Sequence, residues 1–194
     1  MDLNKLEQIA ASCTLCELNT GRINPVFSKG NPSSKFMICG MVPADEENKQ
    51  GIPFVGKSGK ILDALLEASG LSLNDVYITN LVKCYLAAGK KLEEIWVDSC
   101  LPYLITQISL TKPIVIVTLG ADASNALLGN APGTPIGDVK GTFFEYSDNI
   151  KILPTYHPSY IARMGGTGSR CFQMVLDNFR TAKKYYMDLL TKAF

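Results

Sequence analysis

A single histidine and a single tryptophan stand among 194 residues, and neither sign of charge prevails: 19 Lys and Arg face 18 Asp and Glu, for a formal charge of +1. That balance excludes a strongly basic nucleic-acid coat and leaves room only for a local basic patch. No apolar run approaches the ~18–20 residues of a membrane span. Met1 to Cys13 mixes charged with apolar residues and lacks the apolar core of a secretory signal. The expectation is a soluble, cytoplasmic, intracellular protein with no membrane partner. There is no Walker A loop and no G-x-G-x-x-G fingerprint, which removes support from nucleoside triphosphate and dinucleotide binding. Repeats, low-complexity tracts and linkers are missing too, so a single domain over residues 1–194 is expected. A chain of this length buries roughly 70% of its unfolded surface and needs no disulfides to be stable. With 46% hydrophobic residues, it is neither disordered nor a disulfide scaffold.

Cysteine, by contrast, is plentiful, with six in the chain. In a reducing compartment these call for another explanation than disulfides. Cys13 and Cys16 are two residues apart, the spacing that turns both thiolates toward one ion; Cys84 and Cys100 are separated by fifteen. A C-x-x-C pair plus two distant cysteines makes a four-thiolate site suited to zinc or to an iron–sulfur cluster, and spacing does not choose between them. Cys39, inside an apolar run, and Cys171, at a helix start, read as plain buried thiols.

Four apolar runs, Phe36–Val42, Val76–Val82, Pro113–Leu119 and Ile150–Tyr156, are rich in Val, Ile and aromatics without strict alternation, as strands buried on both faces are. Gly141–Tyr146 precedes the last. Between them lie helical patterns. One follows Ser58 as N-cap, carries Ile61, Leu62, Leu65 and Leu66 on one face and closes at Gly70. A second, Leu92 to Leu110, contains Pro102, which should kink or split it. Ala121 to Leu128 is short, and a C-terminal stripe from Phe172 to Leu190 reads as core. The alternation predicts an α/β fold: three layers, α/β/α, around a central, mostly parallel four-stranded sheet. Ligands of such sheets bind beyond the carboxyl ends of the strands, which selects Gly40 to Gly59, Thr79 to Cys84, Gly120 onward and Thr155 to Arg163.

Within those segments, Asp45, Glu46 and Glu47 can orient a water or simply stabilise a helix N-terminus. His157, the only imidazole, sits at a strand end where Pro158 holds its backbone extended. Asn80 ends a strand with an amide that can donate to and accept from the imide edge of a pyrimidine. Phe54 is either a core anchor or a base-stacking face.

These motifs occur together and in order: C-x-x-C near the start, Gly-Ile-Pro-Phe-Val-Gly-Lys-Ser-Gly, Val-Tyr-Ile-Thr-Asn-Leu-Val-Lys-Cys, and Pro-Thr-Tyr-His-Pro-Ser-Tyr-Ile-Ala-Arg. The chain thereby resembles the family 4 (iron–sulfur) uracil-DNA glycosylases from about residue 5 to 190. The resemblance implies a glycosylase that hydrolyses the N-glycosidic bond of uracil, or of a related modified pyrimidine, in single- or double-stranded DNA during base excision repair. It implies that Cys13, Cys16, Cys84 and Cys100 hold a structural [4Fe-4S] cluster, and that Phe54 stacks on the flipped base. Asn80 would read the base edge, His157 would contact O2 and stabilise the departing anion, and Glu47 would lie where a water is held. Ser159 to Met164 would enter the minor groove, with Ile161 or Met164 intercalating and Arg163, Lys57 and Lys83 meeting phosphates. A monomer is expected. The family's first motif resembles Gly-Glu-Ala/Gly-Pro-Gly, whereas this chain has Met41, Val42 and Ala44 at its second, third and fifth positions. Met41 and Val42 would reshape the base-binding floor, so the alternatives are an altered base preference or a catalytically inactive DNA-binding or interaction protein.

Overall fold

The computed structural model describes residues 1–147 and 149–192. Chain order gives α1 (Leu3–Ala11), β1 (Lys29–Gly30), β2 (Phe36–Gly40), α2 (Asp45–Gln50), α3 (Lys57–Ser69), β3 (Tyr77–Asn80) and α4 (Glu94–Thr111). Next come β4 (Val115–Leu119), α5 (Ala121–Leu128), β5 (Phe144–Ser147), β6 (Ile150–Thr155), α6 (Pro158–Arg163) and α7 (Arg170–Lys192).

The sheet runs β1-β3-β2-β4-β6-β5. Its four inner strands are mutually parallel, with Ile38 beside Ile78 and Val117, and Val117 beside Leu153. Antiparallel β1 and β5 close the two edges, so the expected four strands are six. The two extra strands escape an apolar-run reading for opposite reasons. β1 has only two residues, and β5 alternates between half-buried and exposed positions.

Successive residues of a strand point to opposite faces, and here each face has its own core. Phe36, Ile38, Val115, Val117 and Leu153 pack with Leu62, Leu65, Val175 and Phe179 of α3 and α7. Met37, Cys39, Ile116 and Ile152 pack on the other side with Trp96, Leu104 and Ile108 of α4 and with Leu127 of α5. Burial on both faces explains why β2 and β4 show no alternation in sequence. α1 lies outside α4, burying Leu6 and Ala10 against Phe27.

Two local expectations need correction. α4 runs unbroken through Pro102. A proline there removes one backbone donor and costs ~3 kcal/mol. Burial of Trp96, Cys100, Leu104 and Ile108 along one side of the helix offsets it. α3 starts at Lys57, with Gly56 rather than Ser58 as its N-cap.

Among the described residues no helix is long and apolar enough to cross a membrane.

Candidate active site

All four parallel strands end on one edge of the sheet, and the segments leaving β2, β3 and β6 line a cavity of about 480 Å³, to which the segment after β4 adds no residue. Asn80 at the end of β3, His157 just past β6, and Phe54, Glu47 and Val42 from the connection after β2 all line it. The parallel topology delivers these groups, which are distant in sequence, to one place.

Gly40, the last residue of β2, sets how closely they approach. A Cβ there would collide with both the Asn80 Oδ1 and the Phe54 ring. The amide and the ring thus share the space that a side chain at position 40 would take.

Phe54 has φ +54°, a left-handed conformation unusual for a bulky residue, and is only 5% exposed. Three neighbours hold it there. Its carbonyl accepts a hydrogen bond from Lys29 Nζ at 2.9 Å. Gly59 leaves room for that carbonyl, which a Cβ would strike. Glu47 fastens the residues that follow: Oε1 accepts from the Val55 N–H at 2.9 Å and the Gly56 N–H at 2.8 Å, while Oε2 accepts from the Ala44 N–H at 3.2 Å. Strain of this kind persists only where the surroundings over-determine it, and it concentrates at functional sites.

His157 caps α6. Its Nδ1 accepts the Ser159 N–H at 3.1 Å and lies 2.8 Å from the Ser159 hydroxyl. An acceptor nitrogen carries no proton, so in the neutral ring the hydrogen resides on Nε2. Burial pushes the imidazole pKa down to about 4, the Arg163 charge pushes the same way, and Glu47 opposes them. Near neutral pH the ring is therefore uncharged and a hydrogen-bond donor through Nε2. Its ring centre lies 6.1 Å from that of Phe54. The Asn80 amide, nearly buried, takes no protein partner among the described hydrogen bonds, although it lines the cavity. The site thus offers one neutral donor, one free amide and one aromatic face.

The other residues singled out in the sequence divide. Lys57 is exposed at the cavity rim, and Arg163 and Met164 are exposed at and just past the end of α6. Ser159 serves His157. Val42 lines the cavity; Met41 does not, and its carbonyl instead accepts from the Val82 N–H at 3.0 Å. Two DNA-contact expectations are overturned. Ile161 is 0% exposed and belongs to the core between the sheet and α3, so it cannot intercalate without unpacking. Lys83 is 2% exposed, and its ammonium is bound inside the fold by Thr79 Oγ1 and the Asn80 carbonyl.

The four paired cysteines come together on the far side of β3. Cys84 lies within Coulombic reach of Cys16 and Cys13, and Cys100 within reach of Cys84 and Cys13. Burial raises the pKa of both the Cys84 and Cys100 thiols, and nearby donors counter it. Arg22 donates to Cys84 Sγ at 3.3 Å, and the Lys83 N–H donates to Cys100 Sγ at 3.3 Å. Arg22 is anchored in turn on the Ala11 carbonyl at 2.7 Å, which ends α1. Among the described residues, no three His, Cys, Asp or Glu form a group that could hold a single metal ion. Cys39 and Cys171 are buried in separate cores.

Sequence reasoning missed Lys29 and Arg22, and it placed Ser159 at the DNA without its bonds to His157. The first two lie in a stretch without periodicity. Ser159 had a usable signal, since a hydroxyl residue two positions after a helix-capping histidine can bond back to it.

A layered α/β sheet that gathers an imidazole, an amide and a phenyl ring at its carboxyl edge defines a class, and the model of the Uracil DNA glycosylase superfamily matches residues 27–180. Relatives named type-4 uracil-DNA glycosylase follow. The one from Thermotoga maritima is 35% identical, covering 89% of this chain and 88% of its own. That from Pyrobaculum aerophilum is 36% identical over 84% and 86%, and that from Saccharolobus solfataricus 38% over 81% and 76%. The chain belongs to the uracil DNA glycosylase superfamily, within the group of its type-4 members.

Proposed function

We propose that this protein hydrolyses the N-glycosidic bond between uracil and deoxyribose in DNA, acting on a nucleotide extruded from the stack. The observation that carries the proposal is the neutral His157, with its proton on Nε2, facing the same cavity as the unpartnered Asn80 amide and the Phe54 ring.

Cleavage leaves an oxocarbenium-like sugar and a uracil anion, and water then adds to the sugar carbon while its proton ends on the released base. The work is largely electrostatic, since donors must already stand where charge develops. A neutral imidazole donating from Nε2 to the uracil O2 supplies one, and a charged imidazole is not required. Asn80 complements the imide edge by donating to a carbonyl and accepting from N3–H. Phe54 gives the extruded base a face on which to stack. Glu47 uses three of its roughly four acceptor positions to fix the strained loop, leaving capacity on Oε2 for one water. Extrusion costs a few kcal/mol. We assign its recovery to Lys57 and Arg163 at phosphates and to Met164, 52% exposed, as the wedge.

Cys13, Cys16, Cys84 and Cys100 fit an iron–sulfur cluster: their thiols lie close enough to influence one another's charge, and two of the sulfurs receive N–H donors. Cys13 and Cys16 after α1, Cys84 after β3 and Cys100 on α4 would hold the cluster, which would join these segments structurally and supply no bond-breaking chemistry.

The test is incubation of the brown, cluster-containing protein with uracil-bearing single- and double-stranded oligonucleotides, followed by alkali. Strand breaks at uracil are expected; their absence at any enzyme excess would refute the assignment. Val42 in the cavity wall favours one second reading, a shifted base preference. Mass spectrometry of bases released from a mixed panel of modified pyrimidines decides between the two.

A further inference from the structure

Among the described residues Lys83 is the one buried lysine or arginine, and it bonds both to Asn80 at the cavity and to Cys100. Burying an ammonium without a carboxylate partner costs several kcal/mol, and an apolar residue of similar length would fill the space without that cost. No carboxylate pairs with Lys83 among the described salt bridges, and the ionisable groups bearing on it are the thiols of Cys100 and Cys39.

Its bonds account for its place. The ammonium donates to Thr79 Oγ1 at 2.9 Å and to the Asn80 main-chain carbonyl. The Lys83 N–H donates to Cys100 Sγ at 3.3 Å, and its carbonyl accepts from the Val26 N–H at 2.8 Å. The chain between Asn80 and Lys83 is fastened to β2 as well: Leu81 N–H donates to the Gly40 carbonyl at 2.9 Å and Val82 N–H to the Met41 carbonyl at 3.0 Å. The Asn80 carbonyl is the group this arrangement would otherwise leave loose where β3 ends, and Lys83 takes it. Thr79 continues the chain of bonds into the fold, since its hydroxyl bonds the Phe27 carbonyl at 2.7 Å.

We infer that Lys83 is a positioning residue that fixes Asn80 for base reading and fastens that end of β3 to the thiol centre through Cys100. This rests on the assignment of Asn80 as the reader of the base edge. Asn80 has no side-chain partner of its own, so the orientation of its amide depends on the backbone that carries it. Displacing a catalytic group by about an ångström costs on the order of 10²-fold in rate.

The experiment compares cluster-containing wild type with Lys83→Met, Lys83→Gln, Thr79→Val and Asn80→Ala. It measures kcat and KM for uracil release, affinity for free uracil by calorimetry, and visible absorbance of the centre. Lys83→Met is expected to lower kcat by ~10²-fold and to weaken uracil affinity, with KM for DNA and absorbance largely unchanged. Lys83→Gln, which keeps a donor without the charge, should recover part of both losses. Should Lys83→Met not accumulate as folded protein, Thr79→Val carries the test, because it removes one of the two ammonium anchors; a smaller loss in the same two readouts is expected. Unchanged kcat and uracil affinity in a folded Lys83→Met or Thr79→Val protein would overturn the inference, as would a fall in thermal stability alone. If Asn80→Ala retains full activity, the base-reading assignment itself fails, a result distinct from failure of the Lys83 inference.

Discussion

The cavity at the end of β3 and the cysteines just beyond it present opposite solutions to keeping polar groups inside a protein. Around the cavity, the groups suited to chemistry are neutral and kept free of protein partners: the Asn80 amide, the Nε2 side of His157 and the Phe54 face. Their supports are well bonded instead, with three backbone N–H groups on Glu47 and two Ser159 contacts on His157 Nδ1. Around the cysteines the reverse holds. The sulfurs themselves receive donors, and the cations Arg22 and Lys83 stand beside them. Under the proposed function the cavity binds a base that comes and goes, and the cysteines hold a centre that stays.

The contrast is sharpest in what substitutions separate. His157→Ala or Asn80→Ala should cost ~10²–10³ in kcat for uracil release, as loss of a preorganised donor does, while thermal unfolding shifts little. A rate within experimental error of wild type for either variant would erase the distinction drawn for the cavity.

Acid should act on the same imidazole. His157 has a folded-state pKa of about 4 against an ordinary value of 6.5, so between these values the unfolded chain binds the proton first. Stability attributable to this ring is intact above pH ~6.5 and drains away as pH falls toward 4, by about 3 kcal/mol in all. Urea unfolding of wild type and His157→Ala at pH 7 and pH 4.5 measures it. The acid-induced loss should shrink in the variant.

Glu47→Ala is expected to show the opposite pattern from His157→Ala, with stability lost first. Three backbone donors lose their acceptor, and a buried unsatisfied donor costs ~1–3 kcal/mol. Val55 and Gly56 are only partly buried and water can replace some of the loss, so about 2 kcal/mol overall is expected. A fall in melting temperature larger than that of any cavity-facing variant is the check. The smallest effect belongs to the rim. Lys57→Ala should reduce the slope of log affinity against log salt by roughly 1 and weaken binding uniformly across sequences.

How much of this was legible in the sequence follows from what each feature depends on. The inner strands were readable because burial on both faces leaves continuous apolar runs, as in Val115–Leu119. The cavity segments followed from parallel topology, and Asn80, His157 and Phe54 do converge there. Direction was the part the sequence hid. Lys83 and Ile161 sit in segments that reach the site, yet one turns its ammonium back to the Asn80 carbonyl and the other packs inward from α6 into the core. A residue's neighbours in sequence do not say which way it faces when a strand or helix has just ended. The left-handed backbone of Phe54 and the proton on Nε2 of His157 were equally hidden, because each is set by a hydrogen bond from elsewhere: Lys29 to the Phe54 carbonyl, and the Ser159 N–H to Nδ1. Pro102 does not split α4, because the row of core contacts along the helix outweighs intrinsic propensity.

Since His157 is the only histidine in the chain, its imidazole nitrogens can be observed without assignment ambiguity. A nitrogen-15 NMR titration of the labelled protein, with and without free uracil, reads the central claim directly. The account predicts a ring protonated on Nε2 that stays neutral down to about pH 4 and whose Nε2 resonance shifts when uracil binds. A proton on Nδ1, an ordinary titration near 6.5, or indifference to uracil would contradict it.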